Sequence, residues 1–94
     1  MNKTELIERL AEKQGTTKTE AGRIVDALLG EDGIIADALA SGGTVIVQGF
    51  GLWTVRRVAA RSSRNPRTGE TITIPAHRRP SFRAGKGLKD RVNP

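Results

Sequence analysis

The chain has 94 residues, a single histidine, no cysteine and a net charge of +6, which bounds it to one domain with a modest core that oligomerisation would naturally supplement. Without cysteine there are no disulfides or thiolate metal sites, and with His77 as the only histidine there is no His-rich metal cage and little scope for an acid–base pair, so no cofactor is expected. No apolar run approaches the roughly 20 residues that span a bilayer, and Met1-Asn2-Lys3-Thr4-Glu5 leads straight into an amphipathic pattern with no signal-peptide apolar region, so a soluble chain that stays in the cytoplasm is expected.

The first half reads as helix. Asn2 and Glu5 have the spacing of a capping box, with the asparagine able to take up a free amide of the first turn. Leu6, Ile7, Leu10 and Ala11 then share one face, and Gly15 stands where a helix stop is expected. Thr17 and Glu20 repeat the box, followed by a second stripe of Ala21, Ile24, Val25, Leu28 and Leu29. Gly30-Glu31-Asp32-Gly33 interrupts it. Glycines inside a helix cost about 1 kcal/mol each, so a break or kink is predicted here, with one long strained helix as the alternative. Ile34, Ile35, Ala38 and Leu39 resume the stripe until Ser41-Gly42-Gly43.

The second half changes period. Thr44-Val45-Ile46-Val47-Gln48 is β-branched, Gly49-Phe50-Gly51 punctuates, and Leu52-Trp53-Thr54-Val55 follows, which predicts two strands joined by a tight turn. Phe50, Trp53 and Phe82 are the only aromatics, and core filling is their expected role. From Arg56 to about Thr73 the residues are strand-like but offer almost nothing for a core. Asn65-Pro66-Arg67-Thr68-Gly69 is a turn in which Pro66 presets φ and Gly69 supplies the positive φ that closes a hairpin. A two-stranded ribbon without an apolar face is barely stable alone, so a mobile arm that orders on a partner is predicted. Pro75 and Pro80 frame Ala76-His77-Arg78-Arg79, and Phe82 to Val92 reads as a short final helix.

Charge follows the same division. Residues 1–47 carry five basic and eight acidic side chains, whereas residues 48–94 carry eleven basic, nine of them arginine, and two acidic. The planar guanidinium fork suits phosphate, and such asymmetry points to a face or arm built for a polyanion, although on charge alone a solubilising face accounts for it equally well. Arg56, Arg57, Arg61, Arg64 and Arg67 on a narrow ribbon suit the phosphate rails of a duplex groove. Pro66 at the tip is either an ordinary turn proline or an apolar wedge that slips between base pairs; the surrounding arginines favour the wedge. Arg83 and Lys86, near the start of the final helix, are candidates to hold phosphates with its free amides, or are plain surface charge, and Lys3 is equally open to both readings. No helix carries a row of Arg, Asn or Gln for major-groove reading, and no catalytic triad, carboxylate pair or phosphate-cradling glycine loop is present, so an enzyme is not expected.

These residues carry a family likeness. Met1-Asn2-Lys3-Thr4-Glu5-Leu6-Ile7, Gly49-Phe50-Gly51, Ala59-Ala60-Arg61, Arg64-Asn65-Pro66-Arg67-Thr68-Gly69-Glu70, Ile74-Pro75-Ala76 and Phe82 through Asp90 resemble the bacterial histone-like HU and integration host factor family over essentially the whole chain, closer to HU. The resemblance implies an α+β fold forming an intertwined dimer: a helical dimerisation region at 1–43, a sheet at 44–80 with a protruding β-ribbon arm at about 56–75, and a C-terminal helix at 81–94, all one domain. It implies a nucleoid-associated, broad-specificity architectural protein that binds the minor groove of double-stranded DNA and bends or compacts it, intercalating Pro66. Bent, nicked or flexible DNA is the expected preference, with RNA a secondary partner. Arg61, Arg64, Asn65 and Arg67 match arm positions near DNA, and Lys3, Arg83 and Lys86 match body positions that meet flanking phosphates. With Arg56, Arg57, Thr68, Gly69 and Arg78, these complete the expected DNA-binding set. Asp26 matches an acidic position that pairs with Lys3 in the family.

The chain also departs from the pattern. Gly30 and Gly33 lie in a longer second helical region and are expected to reshape the dimer base. Val58 stands where a basic residue is common and Arg57 where an acidic one is, as if the charge had moved to the opposite ribbon face. Ser62-Ser63 replaces a basic-glycine pair, and Trp53 replaces a phenylalanine. A sequence-preferring DNA bender, with a heterodimer in place of a homodimer, and a basic interaction or coat module are the alternative functions.

Overall fold

The computed structural model describes residues 1–94, which form two compact units, Met1–Ser41 and Gly42–Pro94. Unit one is helical. Helix α1 (Lys3–Gln14) starts where the Asn2 side chain accepts the Glu5 amide at 2.9 Å, and ends at Gly15 in the left-handed region (φ 64°). Helix α2 (Lys18–Leu29) repeats the cap, with Thr17 Oγ1 accepting from the Glu20 amide at 3.1 Å. Their apolar stripes meet around Ala11, Ala21 and Val25, the only buried hydrophobic residues of the chain.

The predicted break falls at Gly30 to Gly33, and the long-helix alternative is excluded: helix α3 (Ile34–Ala40) is a separate element. The amide of Gly30 donates to the Asp26 carbonyl at 3.0 Å and that of Gly33 to the Gly30 carbonyl at 2.9 Å. Both glycines have ordinary negative φ, so close approach and not conformation selects them. A Cβ on Gly30 would lie 2.5 Å from the Asp26 carbonyl oxygen, and one on Gly33 3.0 Å from it.

Unit two is built on strands β1 (Val45–Val47), β2 (Gly51–Val58), β3 (Arg61–Arg64), β4 (Thr71–Ile74) and β5 (His77–Ala84), with helix α4 (Lys86–Val92). An antiparallel sheet orders β1-β2-β5, and β3 pairs with β4. Pro80 is tolerated within β5 because that strand is an edge.

The structure corrects the reading of 81–94 as helix. Phe82, Arg83 and Ala84 belong to β5, opposite Trp53, Leu52 and Gly51, and the helix begins only at Lys86. Long-range pairing outweighs local composition here. The Phe82 ring lies over Gly51, where an added Cβ would sit 2.5 Å from it. Phe50, Trp53 and Phe82 do cluster, with Trp53 and Phe82 centroids 4.8 Å apart. As core filling this is incomplete, since Phe50 and Phe82 stay 47% and 43% exposed.

Candidate nucleic-acid interface

The arm is one ribbon made of two ladders. Partners Val58↔His77 close the first and Arg61↔Ile74 open the second. Three residue steps separate the partners on either strand, so the register passes unbroken and sets Pro75 opposite Ala60. Proline has no N–H to give the ladder, which accounts for the interruption at Ala59-Ala60 and Pro75-Ala76.

At the tip, the Asn65 amide donates to the Glu70 carbonyl and the Gly69 amide to the Asn65 carbonyl, both at 2.8 Å. Asn65 Oδ1 accepts from the Arg67 amide at 2.9 Å, and Thr68 Oγ1 accepts from the Glu70 amide at 3.3 Å. Gly69 takes the positive φ (72°) anticipated for it. Asn65, Thr68 and Gly69 therefore build the loop, and Pro66 is held exposed at its outer end. The part played by the Asn65 and Thr68 side chains was missed in sequence, although Asn-Pro-Arg is the spacing of an Asx turn.

The cations distribute over both faces. Along a strand side chains alternate, and directly opposed residues share a face. Arg56 and Arg64 thus lie on one face and Arg57 and Arg61 on the other, all exposed, with none of them in an ion pair. Arg57 opposes Arg78, while Val58 opposes His77, so positions 57 and 58 lie on opposite faces of the ribbon and the cation of this pair is on the face of Arg57. His77 Nδ1 lies 3.1 Å from the Pro75 carbonyl oxygen. Arg79, absent from the sequence-derived set, opposes Arg56; only the register reveals it.

The remaining predicted residues lie elsewhere. Arg83 is on β5, not in the helix, and borders an open depression with Ile46, Leu52 and Gly85. Lys86 opens α4, but the Leu88 amide of that first turn is already given to the Gly49 carbonyl at 2.9 Å, which leaves fewer amides for an anion than expected. In the helical unit, Lys3 Nζ meets Asp26 Oδ1 at 2.6 Å. No helix is long and apolar enough to cross a membrane.

Comparison with known proteins agrees with this geometry. A family model described as bacterial DNA-binding protein matches residues 1–93. DNA-binding protein HU of Xylella fastidiosa is 50% identical over 92 residues, covering 98% of this chain and 95% of the relative. HU-beta of Salmonella typhimurium is 47% identical over 93 residues, covering 99% and 100%. Among solved structures, an Anabaena HU–DNA cocrystal structure superposes with a TM-score of 0.87 at 42% identity, covering 100% of this chain and 99% of that one.

Proposed function

The chain belongs to the bacterial DNA-binding protein family that includes HU, and from that premise we propose that it is an architectural double-stranded DNA-binding protein whose work is binding and bending, not catalysis. The observation that carries the mechanism is the tip: a loop locked by the Asn65 and Thr68 side chains presents an exposed Pro66 at the end of an arginine-bearing ribbon. A rigid apolar end suits insertion between base pairs from the minor groove. For architectural proteins of this class, unstacking a step costs a few kcal/mol, offset by the contacts that bent DNA makes. Arg56, Arg57, Arg61, Arg64, Arg67 and Arg78 supply phosphate contacts along the arm, and Lys3, Arg83 and Lys86 those to flanking DNA. Phosphate contact of this kind gives broad specificity, a preference for bent, nicked or flexible sites, and a nucleoid location.

The acting species is a homodimer. Leu28, Leu29, Ile34, Ile46, Phe50 and Phe82 are exposed in the single chain, and no large side chain is fully buried. Such a chain needs a partner to complete its core. Residues 1–94 act as one DNA-binding domain in that dimer.

The test is energy-transfer bending of an end-labelled random duplex at two salt concentrations, with wild type and Pro66→Ala. A large salt-sensitive bend that the variant loses is expected. Binding without a bend, or an equal bend in both proteins, overturns the wedge and leaves a coat-like role.

A further inference from the structure

The two faces of the β3–β4 ribbon differ in chemistry. Ser62 opposes Thr73 and Arg64 opposes Thr71, whereas Arg61 opposes Ile74 and Ser63 opposes Ile72. Opposed residues share a face and successive ones alternate, so Ser62, Thr71 and Thr73 fall together with Arg64. The other face carries Arg61, Ser63 and the two isoleucines. Ser62, Thr71 and Thr73 are exposed, and no hydrogen bond within the chain engages their hydroxyls. By contrast, the hydroxyls of Thr17, Ser41 and Thr68 are each bonded to backbone. The acceptors of the tip are already committed, Asn65 Oδ1 to the Arg67 amide and Thr68 Oγ1 to the Glu70 amide. The Glu70 carboxylate is repelled by a phosphate backbone. The free neutral side-chain acceptors of the ribbon are therefore three on one face and Ser63 on the other.

Acceptors have a particular use in the minor groove. Every base pair presents acceptors there, and a G·C pair adds one donor, the N2 amine of guanine. Arginine only donates, so an arm that read the groove through guanidinium alone would meet that amine as a mismatch. A hydroxyl has two lone pairs and can take it. We propose that Ser62, Thr71 and Thr73 form a base-edge site that accepts from the guanine amine, their face turned to the groove floor. Their short side chains let the ribbon approach the floor, while Arg64 on the same face is long enough to reach a phosphate. Rungs two residues apart on a face are separated by about 6.8 Å, against about 3.4 Å per base pair, so the two hydroxyl-bearing rungs meet different base pairs. The site offsets the discrimination against G·C pairs that a purely cationic arm would show. The inference rests on the reading of the arm as a minor-groove binder and adds which base pairs it accepts, and through which residues.

The experiment compares two duplexes that differ only in having inosine at every guanine, which deletes the minor-groove amine and leaves the major-groove edge unchanged. Affinities are read by fluorescence anisotropy for wild type, Ser62→Ala/Thr71→Val/Thr73→Val and Ser63→Ala. Inosine also makes a duplex easier to bend, so the quantity compared between proteins is the ratio of the two affinities, in which that effect cancels. The triple variant is expected to shift this ratio against the guanine duplex by about two- to tenfold relative to wild type, the worth of a hydrogen bond or two. Ser63→Ala, on the opposite face, is expected to keep the wild-type ratio. The same ratio in wild type and triple variant overturns the proposal, and an equal shift in Ser63→Ala overturns the assignment of the face. Thr73→Val alone is expected to give a smaller shift in the same direction, and it decides the matter if the triple variant binds neither duplex. A wild type that binds neither duplex sinks the DNA-binding reading itself, whereas tight binding with an unaltered ratio sinks only the hydroxyl site.

Discussion

Lys3 and Asp26 are joined by a 2.6 Å ion pair between α1 and α2, with both side chains more than half exposed at 63% and 60%. A pair this open contributes at most about 1 kcal/mol to stability. Its larger consequence is competition: a phosphate that approaches Lys3 must displace Asp26 or share the ammonium with it. Asp26→Asn removes the competitor at little cost in stability. The variant is expected to melt within a few degrees of wild type and to bind a long duplex about two- to fivefold more tightly in low salt, read by fluorescence anisotropy. Equal or weaker binding than wild type would remove Lys3 from the interface.

The helical unit makes a second prediction through its glycines. A Cβ at Gly30 would press on the Asp26 backbone carbonyl at 2.5 Å, whereas one at Gly22, inside α2, meets only Ile7 Cδ1 at 3.8 Å. Gly22→Ala should therefore gain about 0.5–1 kcal/mol from helix propensity, and Gly30→Ala should lose about 1–3 kcal/mol from the forced shift. Guanidinium unfolding midpoints moving in opposite directions would bear this out. Parallel shifts would mean that the α2–α3 break tolerates a side chain.

How much of this was legible in the sequence depended on how local each decision was. The caps at Asn2 and Thr17, the break at Gly30 and the tip closed by Gly69 are settled within four or five residues, and each is found where the spacing put it. Phe82 to Ala84 was misread as helix because Phe-Arg-Ala beside Gly-Lys-Gly-Leu-Lys-Asp has no strand period, and only pairing with Gly51–Trp53 decides it. Arg79 escaped for the same reason, since its significance is the residue across from it. Phe50 and Phe82 were read as core and are exposed because a sequence shows that side chains are apolar and not which chain covers them.

Salt dependence separates a cation that touches phosphate from one that merely decorates the arm. Arg64 closes the β3–β4 ladder opposite Thr71, immediately before the tip, and is exposed. Arg64→Ala should weaken binding about equally on unrelated duplexes and reduce the slope of log affinity against log salt by about 1. Pro66→Ala should leave that slope unchanged. A slope that Arg64→Ala does not alter would assign the residue to solubility.

The exposed apolar residues make the last prediction, about assembly. The only buried hydrophobic residues are two alanines and a valine, while Ile34, Ile46, Phe50 and Phe82 are open to water. A core that small cannot offset the conformational entropy of 94 ordered residues. If a second copy completes it, folding and association are one equilibrium, and the melting midpoint must rise with protein concentration. A hundredfold increase is worth about 2.7 kcal/mol per dimer by mass action, or roughly 5–10 °C for two chains of this length. Phe82→Ala should lower every midpoint and retain the concentration dependence, because it weakens the shared core without abolishing the pairing. A wild-type midpoint independent of concentration, with a monomer mass by light scattering, would show that the single chain is stable alone and that its aromatic face meets some other partner.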